Sequence, residues 1–146
     1  MKKIIIFDFN RTLYDPDNGC LIHGARFVLH TLIRRGFLLY LVSRAGQSRR
    51  ELIECLGIGQ YFLRIIIAKE KNKKDFQKII KGGGINLSLS FVVGDRVKKE
   101  ICIGNFLGMQ TVWVSAGKFA QEKPKKKIEK PTYTVRALRD VLSVIF

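Results

Sequence analysis

Four short apolar segments of the chain are each followed by side chains that could take part in phosphoryl transfer. These side chains are Asp8, Ser43, Lys71, Asp95 and Glu100. A carboxylate can attack phosphorus and form an acyl phosphate, and carboxylates are typical ligands of Mg²⁺, which also binds phosphate oxygens. A hydroxyl and an ammonium group can hold the oxygens of a transferring phosphoryl group. Taken singly, each residue has an ordinary explanation as a helix cap, a turn former or a solvated lysine. Their joint pattern indicates phosphoryl-transfer chemistry.

Strands and helices are predicted to alternate along the whole chain. The predicted strands are continuous apolar runs, which is typical of a parallel sheet covered on both faces, so we predict a doubly wound α/β fold with three αβα layers. In such folds the functional site lies at the carboxyl ends of the strands. We predict strands over residues 3–7, 37–42, 64–68, 90–93, 111–114 and 133–135, helices over residues 25–35, 47–56, 74–80, 98–107 and 136–145, a turn cluster over residues 10–24 and a basic loop over residues 124–131.

The polar groups lie in four short sequence motifs. Residues 8–13 have the sequence DFNRTL and are followed by Asp15, residues 41–43 are LVS, a lysine precedes the helix that begins near residue 74, and residues 94–101 are GDRVKKEI. In order, these segments resemble the four motifs of the haloacid dehalogenase (HAD) superfamily of hydrolases, whose first motif is D-x-D-x-T-L-x-D and whose fourth is G-D-x-x-x-x-[DE]-I. The resemblance implies a Rossmann-like sheet and a magnesium-dependent aspartyl nucleophile.

The resemblance also implies a role for each residue near the metal ion. Asp8 would be the nucleophile and a ligand of Mg²⁺, and Asn10 would give its backbone carbonyl oxygen to the ion. Asp95 would be the second carboxylate ligand. Glu100 would act through a bound water or from just outside the set of ligands.

On the substrate side, the resemblance places a hydroxyl and a lysine around the phosphoryl group. Ser43 would bind the phosphoryl oxygens, and the adjacent Arg44 is a further candidate for binding substrate. Several lysines precede the third predicted helix. We choose Lys71 as the catalytic lysine because it lies five residues before Phe76, with Lys73 as the second candidate.

Asn10 departs from the family pattern, which has an aspartate at this position. That aspartate protonates the leaving oxygen and then deprotonates the attacking water, and asparagine cannot exchange a proton near neutral pH. Three explanations stay open: a weak or non-hydrolytic protein, an active phosphatase that uses an activated leaving group or another proton donor, or an engineered substitution. Asp15 and Asp17 are candidate substitutes, although a role in a turn suits both.

No segment between the motifs is long enough for the cap that many family members insert. Residues 12–25 form only a turn, and residues 43–71 hold one predicted helix and one predicted strand. By the resemblance, members without a cap act on large substrates or close the site with a second subunit. We therefore expect an open site and consider a homo-oligomer.

Composition predicts one globular domain over residues 1–146 and an anionic partner. Hydrophobic residues make up 47% of the chain, and the net charge is +15, with basic runs at residues 69–81 and 118–130. No uncharged apolar stretch is long enough for a membrane span or a secretory signal, so we predict a cytoplasmic protein that does not bind a membrane. Cys55 and Cys102 lie in apolar helical patterns and are predicted to be core residues.

Two other function classes compete with a phosphatase. The first is a catalytically weak HAD-fold protein that binds a polyanion such as RNA, an interpretation favoured by Asn10 and by the net charge of +15. The second is a receiver domain, which shares the doubly wound fold and an aspartyl phosphate. It fits less well, because the pair of acids expected at the end of its first strand is absent.

Overall fold

A six-stranded parallel sheet forms the centre of the computed structural model, which describes residues 1–146. The sheet strands are β1 (Ile4–Phe7), β4 (Leu38–Arg44), β5 (Phe62–Ala68), β6 (Phe91–Gly94), β7 (Gln110–Val114) and β8 (Tyr133–Val135). Their order is β5-β4-β1-β6-β7-β8, and every neighbouring pair is parallel. This confirms the predicted parallel α/β sheet, with β1 between β4 and β6.

Helices cover both faces of this sheet. They are α1 (Ala25–Arg34), α2 (Arg49–Cys55), α3 (Lys73–Ile80) and α4 (Cys102–Phe106). In β1 the side chains alternate between two cores, because successive residues of a strand point to opposite faces. Ile5 and Phe7 pack with α1, α2 and the C-terminal residues, whereas Ile4 and Ile6 pack with α3 and α4. The three αβα layers predicted from the continuous apolar runs are therefore present.

The structure differs from the predicted elements at three places. The turn cluster contains a two-stranded antiparallel hairpin, β2 (Tyr14–Asp15) and β3 (Cys20–Leu21). The fourth helix is preceded by a π-helical turn over Val97–Ile101. The last predicted helix is a 3₁₀ segment, Leu138–Ser143, which buries Leu138 and Val141.

The prediction for the cysteines was wrong for Cys55. Its side chain is exposed and that of Cys102 is half-buried, because α2 buries only Ile53. As for a membrane, none of the helices combines the length and the hydropathy that a bilayer span needs.

Candidate active site and metal centre

Three carboxylates meet at the carboxyl end of the sheet. β1 and β6 are parallel neighbours with Phe7 opposite Val93, so the residues that follow them, Asp8 and Asp95, emerge side by side. One oxygen from each of Asp8, Asp95 and Glu100 lies within 4.8 Å of the others. All three residues are at most 4% exposed. Such a buried concentration of negative charge is costly unless cations compensate it.

Glu100 reaches this cluster because of the π-helical turn and Gly94. Its carboxylate accepts a hydrogen bond from the backbone N–H of Arg96 at 3.3 Å. A Cβ atom on residue 94 would lie 2.8 Å from the Cβ of Glu100, so only glycine allows the approach. A π-helical turn re-aims side chains within a helix, and such turns are frequent at functional sites.

Lys71 supplies the one protein cation that contacts the cluster directly. Its Nζ forms ion pairs with Asp8 and Glu100. The loop that carries Lys71 is fixed by the capping box of α3, in which the Asn72 side chain accepts from Lys74 N and the Asp75 side chain accepts from Asn72 N, both at 2.9 Å. Burial alone would lower the pKa of Lys71, but the carboxylates raise it, so the ammonium stays charged.

Charge repulsion in the cluster exceeds what one lysine can compensate. Burial, followed by the nearby charge of Asp8, raises the pKa of Asp95 to about 8 and that of Glu100 to about 7. In addition, Oδ2 of Asp95 is buried and has no hydrogen-bond partner. Hard oxygen donors, excess negative charge and an orphaned carboxylate oxygen all fit a divalent cation such as Mg²⁺.

These raised pKa values predict how the stability of the metal-free protein depends on pH. Asp95 and Glu100 hold protons in the folded state up to pH values near 8 and 7, whereas carboxyls of the unfolded chain lose them near 4. The folded state binds more protons in that window, so the free energy of unfolding should fall as the pH rises from about 4 to about 8.

Thermal unfolding in a chelating buffer checks this expectation. The Tm should decrease across the window, and Asp95→Asn should make the decrease shallower because it removes the largest contributor. A Tm that is flat or rises over the same range in the unaltered protein would contradict the assignment.

Of the remaining predicted site residues, some line the cavity at the site and others do not. Asn10 and Arg44 line a cavity of about 300 Å³ together with Asp8, Lys71 and Asp95. Ser43 is fully buried and does not line the cavity, and its hydroxyl donates to the carbonyl of Arg44 at 3.0 Å.

Lys73, the second choice for the catalytic lysine, lies away from the cluster. Its Nζ is 3.8 Å from the centroid of the Phe106 ring, and it does not line the cavity. Lys71 precedes α3 and Lys73 is its first residue. Only Lys71 contacts the carboxylates.

The side chain of Asn10 is held by an arginine that the sequence analysis did not single out. Arg49 Nη1 donates to Asn10 Oδ1 at 3.3 Å, and the guanidinium carbon lies 4.9 Å from the centroid of the Phe9 ring. Because Arg49 occupies the amide oxygen, the amide NH₂ group of Asn10 is left as a hydrogen-bond donor. No sequence signal marks Arg49, which belongs to a different element from Asn10.

The two candidate substitutes for proton transfer lie outside the site: Asp17 is exposed and does not line the cavity, and Asp15 is a turn residue. Its carboxylate accepts hydrogen bonds from the backbone N–H of Asp17 at 2.9 Å and from the side chain of Asn18 at 2.6 Å. The hydrogen bond from the Asn18 side chain is the main reason that the pKa of Asp15 is below its ordinary value, which is unsuited to a general acid. Thr12 is the motif residue that does contact the cluster, since its hydroxyl donates to Asp8 Oδ2 at 3.2 Å.

Basic side chains surround the mouth of the cavity. They are Arg11, Arg44, Arg96, Lys99 and Lys118. The ring of Phe119 is close to three of these cations, with its centroid 4.2 Å from the guanidinium carbon of Arg96, 5.7 Å from that of Arg11 and 5.5 Å from Nζ of Lys118. Arg11 and Arg96 could have been found from the sequence, because each directly follows a motif residue.

Comparison with known proteins assigns the family. The sequence profile of the HAD-hydrolase-like family matches residues 67–141, just over half of the chain. The chain belongs to this family.

Among curated relatives, this HAD-like chain is 27% identical over 130 residues to a glyceraldehyde 3-phosphate phosphatase of Pyrococcus furiosus, covering 85% of the chain and 54% of the relative. It is 30% identical over 123 residues to the enzyme of the same name from Methanopyrus kandleri, covering 80% and 53%. The chain thus spans about half the length of these relatives.

Solved structures show the same fold. An uncharacterized protein from Listeria monocytogenes superposes with a TM-score of 0.80 at 18% identity, covering 97% of this chain and 96% of that one. A Bacillus subtilis protein, described as a HAD-hydrolase bound to magnesium, superposes with a TM-score of 0.72 at 21% identity, covering 87% and 57%. The HAD-like, Rossmann-like sheet is therefore the scaffold on which the carboxylate cluster stands.

Proposed function

We propose that the chain is a magnesium-dependent hydrolase of phosphomonoesters that works through a phosphoryl-aspartate on Asp8. The observation that carries the proposal is the buried cluster of three carboxylates, in which Asp95 keeps an unpartnered oxygen and Lys71 bridges two of the acids. The cluster lies at the carboxyl end of a parallel sheet, where α/β folds bind their ligands. Family membership agrees with this chemistry.

Asp8 is the nucleophile in this proposal. An oxygen of Asp8 forms a bond to phosphorus while the ester P–O bond breaks, and water later releases phosphate from the aspartyl intermediate. The ammonium of Lys71 faces the oxygens of the transferring group. Ser43 is proposed as a second group that binds the phosphoryl oxygens; because it does not line the cavity, its hydroxyl must first turn away from the carbonyl of Arg44, to which it now donates.

The residues that would hold Mg²⁺ are Asp8, Asp95 and the backbone carbonyl of Asn10, with Glu100 close by. When bound, the ion neutralises charge on the phosphoryl oxygens and on the carboxylates. Asn10 has no proton to exchange, but its NH₂ group can donate a hydrogen bond to the leaving oxygen. This arrangement supports turnover of substrates whose leaving group needs little protonation, and slower turnover of alkyl phosphates.

The proposed substrate is a phosphomonoester that carries further negative charge. The curated relatives are named for glyceraldehyde 3-phosphate, a small phosphomonoester. The basic residues at the mouth of the cavity exceed what one phosphate needs. We also propose that residues 1–146 act as one domain with an open site, since the segment after β1 is a short hairpin and residues 45–70 hold only α2, a 3₁₀ turn and β5. Cytoplasmic location and homo-oligomer formation stay predictions.

Mg²⁺ should both stabilise the protein and support turnover. At a concentration of 100 times the Kd, a ligand that binds only the folded state stabilises it by about 2.7 kcal/mol, which a thermal shift detects. Phosphate release from a panel containing p-nitrophenyl phosphate and glyceraldehyde 3-phosphate should require Mg²⁺ and stop with chelator.

Asp95→Asn should lose both the thermal shift and the Mg²⁺-dependent release. Asp17→Asn, the same chemical change at an exposed position of the hairpin, is the matched control and should keep both. If the unaltered protein releases no more phosphate than Asp95→Asn, the proposal fails.

A further inference from the structure

The segment between β7 and β8 runs along the edge of the candidate site. Glu122 ties it to the π-helical turn, accepting from Val97 N at 2.6 Å and from Arg96 Nη2 at 3.2 Å. Farther along, Asn105 of α4 donates to the carbonyls of Ile128 and Lys130 at 2.7 and 2.8 Å. The segment is therefore a fixed part of the fold.

The acidic and basic side chains of this segment point in different directions. Its two acids, Glu122 and Glu129, are each about 9% exposed, and both carboxylates are used in internal hydrogen bonds. All eight lysines of residues 98–99 and 118–130 are exposed. We call these lysine side chains the lysine surface. Because the two acids of the segment are turned inward, the lysine surface is positively charged and has no exposed carboxylates between its lysines.

The lysines of the π-helical turn and those near residue 126 belong to one patch. Glu129 lies near lysines of both groups. Its pKa is lowered first by the backbone hydrogen bond from Lys125, and then by the positive charges of Lys98, in the π-helical turn, and Lys126. Lys99 and Lys118 also line the mouth of the cavity. The positive surface therefore continues outward from the candidate site, beyond the residues that line the cavity.

A group of exposed lysines of this kind suits a chain that carries several phosphates. Nucleic acid backbones carry such phosphates, and lysines bind them without reading the sequence. A membrane surface suits it less, since interfacial binding needs apolar side chains that insert. Residues 115–130 expose no large apolar side chain, and their one aromatic residue, Phe119, is half-buried beneath cations.

We propose that the lysine surface binds the sugar-phosphate backbone of a nucleic acid strand. The binding is electrostatic and independent of base sequence. It does not depend on hydrolysis at Asp8, so the two proposals fail separately. It also accounts for the basic run at residues 118–130, most of which the phosphoryl chemistry leaves unused.

The test measures the binding of a fluorescent single-stranded RNA to the full chain by anisotropy at several salt concentrations. The variant Lys125→Gln/Lys126→Gln/Lys127→Gln should weaken binding about tenfold at low salt and make the slope of log K against log salt less steep by about 2. The control Lys2→Gln/Lys74→Gln/Lys81→Gln removes the same charge from exposed positions elsewhere and should change the affinity much less.

Three outcomes would overturn the proposal: no RNA binding at low salt, equal losses in the two triple variants, or tighter binding to phosphatidylserine vesicles than to RNA. The Tm of each variant confirms that it is folded. Repeating the titration with Asp8→Asn separates binding from catalysis, since the RNA affinity should be retained in that protein.

Discussion

Asp8→Asn should lower kcat for phosphomonoester hydrolysis by on the order of 10⁴-fold or more, the size expected when a covalent nucleophile is removed. An amide oxygen does not form the aspartyl phosphate, and it contributes no charge to a Mg²⁺ site. The chain should stay folded, because Lys71 keeps its ion pair with Glu100 and the cluster loses one of three mutually repelling carboxylates. Steady-state phosphate release with saturating Mg²⁺ measures the effect.

Asp17→Asn is the control for this substitution, because it makes the same change in the exposed hairpin. It should leave kcat within about twofold, in the range of ordinary surface substitutions. If Asp8→Asn releases phosphate nearly as fast as the unaltered protein, then Asp8 is not the nucleophile and a water molecule attacks phosphorus directly. In that case acid quench should trap no phosphorylated protein from either form.

The fold and the meeting of Asp8 with Asp95 could be predicted from the sequence because both follow from strand ends. Continuous apolar runs identify buried parallel strands, and a parallel sheet gathers its carboxyl ends on one edge. Residues that directly follow β1 and β6 have little freedom to lie elsewhere. Backbone register, which is local and regular, therefore placed these two carboxylates.

Side chains that act across elements could not be placed in the same way. Lys71 and Lys73 are two residues apart in the sequence, but Lys71 precedes the N-cap Asn72 and Lys73 is the first residue of α3, and the sequence alone does not show where that helix begins. The strand end predicted the position of Ser43, but only the structure shows that its hydroxyl is buried and donates to the carbonyl of Arg44. The contact of Arg49 with Asn10 joins residues 39 apart in the chain, and long flexible side chains carry no periodic signal.

The charge of the chain illustrates the same limit. The composition shows a net charge of +15. The composition of a lysine-rich segment is the same whether its acids face solvent or the interior, so it does not determine the charge of the surface. Only the hydrogen bonds of Glu122 and Glu129 show that the acids face inward. The sign of the local surface is thus a property of tertiary structure.

Asn10→Asp should raise kcat for alkyl phosphates by about 10²-fold, at the low end of the range for general acid–base catalysis. The substitution introduces a carboxyl at the position of the amide, and a carboxyl there can protonate the leaving oxygen. The gain should be larger for alkyl phosphates than for p-nitrophenyl phosphate, whose leaving group needs little protonation. If both substrates gain equally, or neither gains, proton transfer at residue 10 does not limit the rate.

Arg49 should limit the increase in kcat that Asn10→Asp produces. The amide oxygen of Asn10 lies 3.3 Å from Arg49 Nη1, so a carboxylate introduced there would sit beside a guanidinium that favours its ionised form. An acid held ionised at neutral pH is a poor proton donor. Arg49→Gln combined with Asn10→Asp should therefore raise kcat beyond Asn10→Asp alone and should move the pH profile of kcat for alkyl phosphates upward. Arg49→Lys, which keeps the charge, should restore the lower profile. Identical profiles in all three proteins, each with an unchanged Tm, would show that Arg49 orients the side chain of residue 10 without tuning its proton affinity.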